Sequence, residues 1–162
     1  MHEAIIFLEQ VEKPLTKEEL DDVEIYINDF LEQPAYTRAG IEYIGSEYSS
    51  FDANKLASIY NGNVLELVEE DKNNNFFHVF RIKQDAVKYV SEVKIKKLND
   101  LMAEINSSNF RFHYDRFASI IIPKLDTYIV ENEILYPLDE WLLAEAEEGA
   151  MYQIVQILDA SL

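Results

Sequence analysis

The amino-acid sequence predicts an α+β protein, with a small and mostly antiparallel sheet covered by helices, in one domain over residues 1–162. A chain of this length with 48% hydrophobic residues can bury one core without a second domain. Strand-like and helix-like stretches follow each other irregularly, which favours α+β over a doubly wound α/β fold. The sequence also lacks the glycine-rich turn that joins strand to helix in nucleotide-binding folds.

The first elements follow from an apolar run and a capping motif. Residues Ala4 to Leu8 are continuously apolar and predict a strand. Thr16 and Glu19 have the spacing of a capping box, so a helix is predicted to begin at Thr16. Leu15, before the helix, is expected to pack on Leu20 as a hydrophobic staple. The helix has an apolar stripe of Leu20, Val23, Ile27, Phe30 and Leu31, and Pro34 ends the helix.

Residues 35–82 are predicted to hold a short helix and a hairpin. The helix runs from about Asp52 to Tyr60 and follows a loop-rich region, where exposed aromatic rings are expected among Tyr36, Tyr43 and Tyr48. Residues 63–70 and 76–82 are rich in Val, Leu and Phe, and the polar residues between them suit a turn. This pattern predicts a β-hairpin.

A long helix is predicted over residues 84–106, although residues 93–96 also alternate like a strand. The helical spacing is that of Val87, Val90, Val93, Leu98, Leu101, Met102 and Ile105. Residues 110–114 alternate between aromatic and polar side chains and are predicted to form a strand. Residues 117–135 are ambiguous, because they are rich in Ile but contain Pro123.

Two helices are predicted at the end of the sequence. The first begins at Pro137, presents Leu138, Trp141 and Leu142 on one face, and stops at Gly149. The second is a short helix from Met151, on the spacing of Met151, Ile154, Val155 and Leu158.

The distribution of charge is the main functional signal. The net charge is −17, and residues 125–162 hold nine acidic side chains but no Lys or Arg. Residues 1–71 carry 17 acids and 4 bases, whereas residues 72–124 carry 5 acids and 10 bases. Such a surface repels nucleic acid and most membranes, and it attracts basic proteins over about 8 Å at physiological salt.

Composition excludes several kinds of chemistry. The absence of Cys removes disulfides, thiolate metal sites and cysteine nucleophiles. Only three His are present, and neither a serine-nucleophile elbow nor a phosphate-binding loop occurs, so we expect no catalysis and no cofactor. The N-terminus lacks the pattern of a secretory signal, and no apolar run reaches the length of a membrane span, so a cytoplasmic protein is expected.

One enzyme hypothesis uses the polar cluster at residues 111–116. The cluster comprises Arg111, His113, Tyr114, Asp115 and Arg116. If residues 110–114 form a strand, Arg111 and His113 share one face, and the cluster could assemble a general base beside two cations, as in a phosphodiester-cleaving site. The alternative is the solvated face of an edge strand. A structural role is also the expectation for His78, which lies among apolar residues of the hairpin.

A second enzyme hypothesis is an uncharacterised metal-dependent nuclease. Glu92 and Lys94 have the Glu-x-Lys spacing of such enzymes, and Glu70 or Asp71 could supply another metal ligand. The element would require residues 90–96 to be a strand, against the helix predicted there. The negative charge of the chain would also oppose the approach of DNA.

The composition favours a binding protein that captures and neutralises a basic protein, with a nuclease toxin as one such partner. A bacterial immunity protein fits best, because the basic residues between 83 and 97 would interrupt the charge pattern of a DNA mimic. DNA mimicry and an acidic housekeeping domain remain the alternatives. The predicted contact residues are Asp139, Glu140, Glu145, Glu147 and Glu148, and secondarily Asp21 and Asp22.

Overall fold

A computed structural model describes residues 2–23, 43–47, 51–73, 76–121 and 127–161. Seven strands in these ranges form one mostly antiparallel sheet with helices packed on it, which confirms the predicted α+β class. The strands are β1 (His2–Val11), β2 (Tyr43–Glu47), β3 (Leu65–Glu69), β4 (Val79–Ile82), β5 (Thr127–Glu131), β6 (Ile134–Pro137) and β7 (Met151–Ser161). The helices are α1 (Lys17–Asp21), α2 (Ala53–Ala57), α3 (Ala86–Glu104), α4 (Phe110–Ile121) and α5 (Leu138–Ala144), with a 3-10 turn at Ile59–Gly62.

Strand β7 is the centre of the sheet. It pairs antiparallel with β1 from Met151, opposite Val11, to Ser161, opposite His2. On its other edge, β4 pairs with the beginning of β7 and β2 pairs with its end. The strand order is therefore β3-β4-β7-β1-β5-β6, with β2 also bonded to β7. The β1–β5 pair is parallel, so the carboxyl ends of these two strands lie side by side.

Both faces of the sheet are covered by apolar side chains. Neighbouring residues on β1 point to opposite faces: Ile6 belongs to the cluster beneath α3 and α5, whereas Ile5 belongs to the cluster that contacts Leu20 of α1. Each fully buried Ile or Leu contributes about 1.5–3 kcal/mol of hydrophobic stabilisation. Because the two clusters share the same strands, the sheet is the common wall of a core on either side.

The prediction of a second C-terminal helix from Met151 is wrong, because residues 151–161 form β7. The spacing of Ile154, Val155 and Leu158 suits one helical face, but the strand buries them on both sides of the sheet. Tyr152, Gln153 and Ile157 are buried as well. A strand covered on both faces has no polar alternation, so its sequence resembles a buried helix.

The predicted strand over residues 110–114 is also wrong, because these residues begin helix α4. Phe110, Phe112 and Tyr114 alternate as a strand would, but Phe110 and Tyr114 are one helical turn apart and their rings are in contact at 6.2 Å. The ambiguous region 117–135 contains the end of α4 and, after residues that lie outside the described ranges, strand β5.

Several local predictions are confirmed. The side chain of Thr16 accepts from the Glu19 N–H and the Glu19 carboxylate accepts from the Thr16 N–H, which completes the capping box of α1. Residues 65–69 and 79–82 form the predicted hairpin, and α3 covers most of residues 84–106. Asp52 caps α2, which ends at Ala57, earlier than predicted.

Some predictions concern residues that the structure does not describe. The continuation of the first helix over residues 24–34 lies outside the described ranges, as do the side chains of Tyr36, Tyr43 and Tyr48. Within those ranges, no helix has both the length and the apolar character that a bilayer crossing requires.

The turn between α5 and β7 carries several of the predicted contact residues, and it is fastened to β4. The Gly149 N–H donates to the Ile82 carbonyl at 2.8 Å, and the Ile82 N–H donates to the Ala150 carbonyl at 3.0 Å. Gly149 has φ +83°, and a Cβ atom there would lie 2.8 Å from Nε2 of Gln84. The backbone conformation and the close approach of Gln84 both favour glycine at this position.

We expect Gly149→Ala to lower the free energy of unfolding by about 1–2 kcal/mol, because a left-handed conformation is costly for a residue with a Cβ atom. Urea denaturation measures the change. The double variant Gly149→Ala/Gln84→Ala should recover only the part of the lost stability that is due to crowding of the new Cβ atom against Gln84. Full recovery would mean that the backbone conformation costs nothing.

Candidate functional site

Five glutamates gather around the carboxyl ends of β1 and β5, and we call this surface the acidic end. Because β1 and β5 are parallel, Glu9, two residues before the end of β1, and Glu131, the last residue of β5, lie at the same end of the sheet. Helix α5 and the turn after it bring three further carboxylates to this end. The acidic end consists of Glu9, Glu131, Glu140, Glu145 and Glu147.

Glu131 is the half-buried member of the acidic end. Its Oε2 accepts a hydrogen bond of 3.1 Å from Nε1 of Trp141, a side chain that is 1% exposed. Burial raises the pKa of Glu131, and repulsion from Glu145 and Glu9 raises it further, although the Trp141 bond acts in the opposite direction. The carboxylate therefore sits where a negative charge is already unfavourable.

Two tyrosines border the same glutamates. Burial raises the pKa of Tyr136, followed by the charges of Glu145, Glu131 and Glu140 and by a hydrogen bond to Glu145. Burial likewise raises the pKa of Tyr152, with smaller contributions from Glu131 and Glu147. These shared interactions show that the five carboxylates form one electrostatic neighbourhood.

Five bases of the described ranges form ion pairs, all of them away from the acidic end. Ion pairs join Arg81 to Glu66, Lys88 to Glu92, Lys94 to Asp139, Lys96 to Asp100 and Arg116 to Glu104. None of these pairs involves a glutamate of the acidic end. Within the described ranges, no ion pair therefore neutralises a carboxylate of the acidic end.

Asp139 must be removed from the predicted contact surface, because it is buried. The residue is 4% exposed, its Oδ2 lies 2.8 Å from Nζ of Lys94, and its Oδ1 accepts a 2.6 Å hydrogen bond from the Tyr60 hydroxyl. The Lys94 side chain is only 18% exposed. Asp139 thus connects α5 to α3 and to the 3-10 turn instead of facing solvent.

The backbone at Tyr60, which makes this contact, is in the left-handed region. Tyr60 has φ 51° and Asn61 has φ 58°, both in the left-handed region that residues with a Cβ atom avoid. Burial raises the pKa of Tyr60 well above its ordinary value, and the hydrogen bond to Asp139 and its negative charge add to this effect. The hydroxyl therefore stays protonated and keeps donating to Asp139.

The other predicted contact residues divide into two groups. Glu140, Glu145 and Glu147 are exposed and belong to the acidic end. Glu148 is half-buried and its Oε1 accepts from the Val87 N–H at 3.0 Å, so it caps the first turn of α3.

Asp21 and Asp22 are exposed at the end of α1, but they do not join the acidic end. Helix α1 packs through Leu20 on one face of the sheet, whereas α5 packs through Trp141 and Leu142 on the other. The structure therefore places these two aspartates apart from the C-terminal glutamates.

Two members of the acidic end, Glu9 and Glu131, were not among the predicted contacts. Each follows an apolar run that forms a strand, which is a visible signal for a carboxylate at a strand end. Their proximity depends on the parallel pairing of β1 with β5, with Phe7 opposite Val130. That pairing joins segments more than a hundred residues apart and has no local signal in the sequence.

Neither enzyme hypothesis is supported by the geometry. In helix α4, Arg111 and His113 are about 200° apart around the axis and do not share a face. Glu92 and Lys94 lie within helix α3, so the strand required by the nuclease element is absent. Among the residues that the structure describes, no group of three or more potential ligands could hold a metal ion.

The histidine of the hairpin has the structural role predicted for it. His78 is 7% exposed, and its Nδ1 accepts from the Asp71 N–H at 3.0 Å. Burial lowers the pKa of His78, against the opposing effect of Asp71 and Glu70. A neutral imidazole that accepts at Nδ1 holds the two ends of the β3–β4 connection together.

Comparison of the chain with models of protein families, with curated proteins and with solved structures finds no match. The functional argument therefore depends on the chemistry of the acidic end.

Removing the cation beside Asp139 should destabilise the protein. We expect Lys94→Met to lower the free energy of unfolding by about 3 kcal/mol, because it leaves a buried carboxylate with only the Tyr60 hydroxyl as partner. Chemical denaturation measures the loss. Lys88→Met is the matched control on the same helix, since its 4.0 Å pair with Glu92 is exposed and should contribute little. Equal losses in the two variants would contradict the buried ion pair.

Removing the charge of Glu131 should stabilise the protein at neutral pH. Glu131→Gln keeps an oxygen acceptor for Trp141 but removes a desolvated charge that Glu145 and Glu9 repel. Because the pKa of Glu131 is raised in the folded state, the wild-type carboxylate takes up a proton as the pH falls toward the ordinary value of 4.5. The wild-type protein then regains the stability that the charged carboxylate costs it at neutral pH. The advantage of the variant in thermal unfolding should therefore shrink over this range.

Glu18→Gln is the control for this experiment, because Glu18 is an exposed acid in the first turn of α1. A negative charge is favourable at a helix N-terminus, so this variant should gain no stability at neutral pH. An equal gain in both variants would assign the effect to net charge instead of to the position of Glu131.

Proposed function

We propose that this protein captures and neutralises a basic protein through the acidic end, in the manner of an immunity protein of a bacterial toxin system. The observation that carries the proposal is the convergence of Glu9, Glu131, Glu140, Glu145 and Glu147, none of which forms an ion pair with a base of the described ranges. A cationic partner would relieve the repulsion that already raises the pKa of Glu131.

The charge of the whole chain supports rapid capture. A net charge of −17 attracts a basic partner from solution, and such steering accelerates association by about 10- to 1000-fold at low salt. Tyr136 lies half-buried among the same carboxylates, where its ring can contact apolar surface of the partner. Charge would thus set the rate of encounter, and aromatic contact would slow dissociation.

An immunity-type inhibitor is favoured over a DNA mimic by the arrangement of the charges. A DNA mimic requires carboxylates spaced like phosphates along an extended surface, whereas these five lie at one end of the sheet. Helix α3 presents exposed Lys88, Lys96 and Lys97, which would interrupt a continuous acidic ridge. A compact acidic surface is more typical of recognition of one cognate protein. The cytoplasm is the proposed site of action, where a toxin would reach its target.

The acidic end should govern the association rate. We expect the triple variant Glu140→Gln/Glu145→Gln/Glu147→Gln to capture a basic partner about tenfold more slowly at low salt, with a flatter salt dependence. The wild-type chain is immobilised, proteins bound from lysate at low salt are identified, and the purified partner is then measured against each variant by surface plasmon resonance. Circular dichroism checks that the variants remain folded.

The matched control removes the same number of charges from α1. Glu18→Gln/Asp21→Asn/Asp22→Asn should leave most of the association rate intact, because these acids lie by the other face of the sheet. Equal effects of the two triple variants would move the contact away from the acidic end. Recovery of only neutral or acidic proteins would refute the proposed partner class.

The inhibitory role is tested in cells. Expression of the captured protein alone should arrest growth, and co-expression of the wild-type chain should restore it. The Gln triple variant should restore growth less well than the α1 variant does. A captured protein that has no toxic effect would contradict the immunity function even if binding is confirmed.

A further inference from the structure

Helix α4 exposes an unusual amount of aromatic surface. Phe110 is 54% exposed and Tyr114 is 58% exposed, and their rings pack edge to face at 6.2 Å on one side of the helix. Phe117, one turn further along, is half-buried. The helix therefore has an apolar stripe that is covered towards its C-terminal half and open at its beginning.

One positive and one negative side chain lie along the same side of the open part of the stripe. Arg111 and Asp115 are both exposed and lie one helical turn apart, beside Phe110 and Tyr114. Neither residue takes part in any of the ion pairs of the described ranges. An exposed aromatic pair bordered by one positive and one negative charge can be complementary to its own copy in the antiparallel orientation.

The charge of the surrounding region also favours a second copy. Residues 86–121, which contain α3 and α4, carry six bases and four acids, a net charge of +2 within a chain of −17. Two such chains repel each other over most of their surface, but least where these helices meet. The apolar side chains Ile95 and Met102 of α3 are exposed as well, at 54% and 58%.

We propose that α4 is a self-association surface through which two copies of this chain pair antiparallel about a two-fold axis. With the axis at the height of His113, Arg111 of each copy faces Asp115 of the other, and the two Tyr114 rings meet at the centre. Phe110 of each copy covers the open stripe of the second. This surface uses no residue of the acidic end, so the inference stands independently of the proposed function.

A charge-swap experiment tests this pairing. In sedimentation velocity over a wide range of protein concentration, the full chain should shift from monomer to dimer. Arg111→Asp alone and Asp115→Arg alone should each weaken association by about tenfold or more, because like charges then face each other twice. An equimolar mixture of the two variants should restore dimers, because each copy then meets the opposite charge. The double variant should restore them as well.

The mixture also distinguishes a lost contact from misfolding, because a variant that fails to fold cannot form dimers with the other variant. Phe110→Ser should weaken the dimer, whereas Phe112→Ser is the control. Phe112 is 80% exposed but about 200° from Phe110 around the helix, outside the proposed contact. A monomer at every concentration, no restoration in the mixture, or equal effects of the two Phe variants would each overturn the proposal.

Salt separates this inference from the proposed function. Added salt screens the two Arg111–Asp115 pairs, but it also screens the repulsion between two chains of charge −17 and leaves the aromatic contact intact, so dimers should persist. Capture of a basic protein at the acidic end should weaken under the same conditions. Dissociation of the dimer by salt would overturn the α4 pairing and leave the acidic end untouched.

Discussion

The structure depends on strand β7, which is buried on both faces and hydrogen-bonded to other strands along both edges. Its side chains enter both hydrophobic clusters, through Ile154 and Ile157 on one face and Val155 and Leu158 on the other. Strands β2 and β4 each pair with β7, and the β3–β4 hairpin reaches the rest of the sheet through it. The turn that holds Glu145 and Glu147 leads directly into this strand, so the acidic end has its position because β7 has its partners.

The sequence allowed prediction of the elements whose signal is local. The capping box at Thr16, the hairpin over residues 63–82 and the long helix beginning near residue 84 all depend on neighbours in the chain, and the structure contains each of them. The predicted secondary structure is wrong at residues 151–161 and at residues 110–114, for opposite reasons. A strand between two cores has no polar face to reveal its period, whereas three alternating aromatics in five residues imitate a strand. Residues 110–114 are helical, and the helix that they begin, α4, packs against α3.

Only part of the candidate site could be found from the sequence. Glu140, Glu145 and Glu147 are close in the chain and remain close in the fold, so local charge density identified them. Asp139 has the same local signal but turns inward to Lys94, and counting charges cannot distinguish the two orientations. Glu9 and Glu131 join the group only through the parallel pairing of β1 and β5, which is a long-range property of the sheet.

The central place of β7 has a consequence for how the protein is made. Ribosomes add about 5–20 residues per second, and the partners of β7 leave the exit tunnel before residues 151–161 do. Until then one edge of β1 lacks its long antiparallel hydrogen-bonding partner. The sheet therefore closes in a late step dominated by contacts between distant segments.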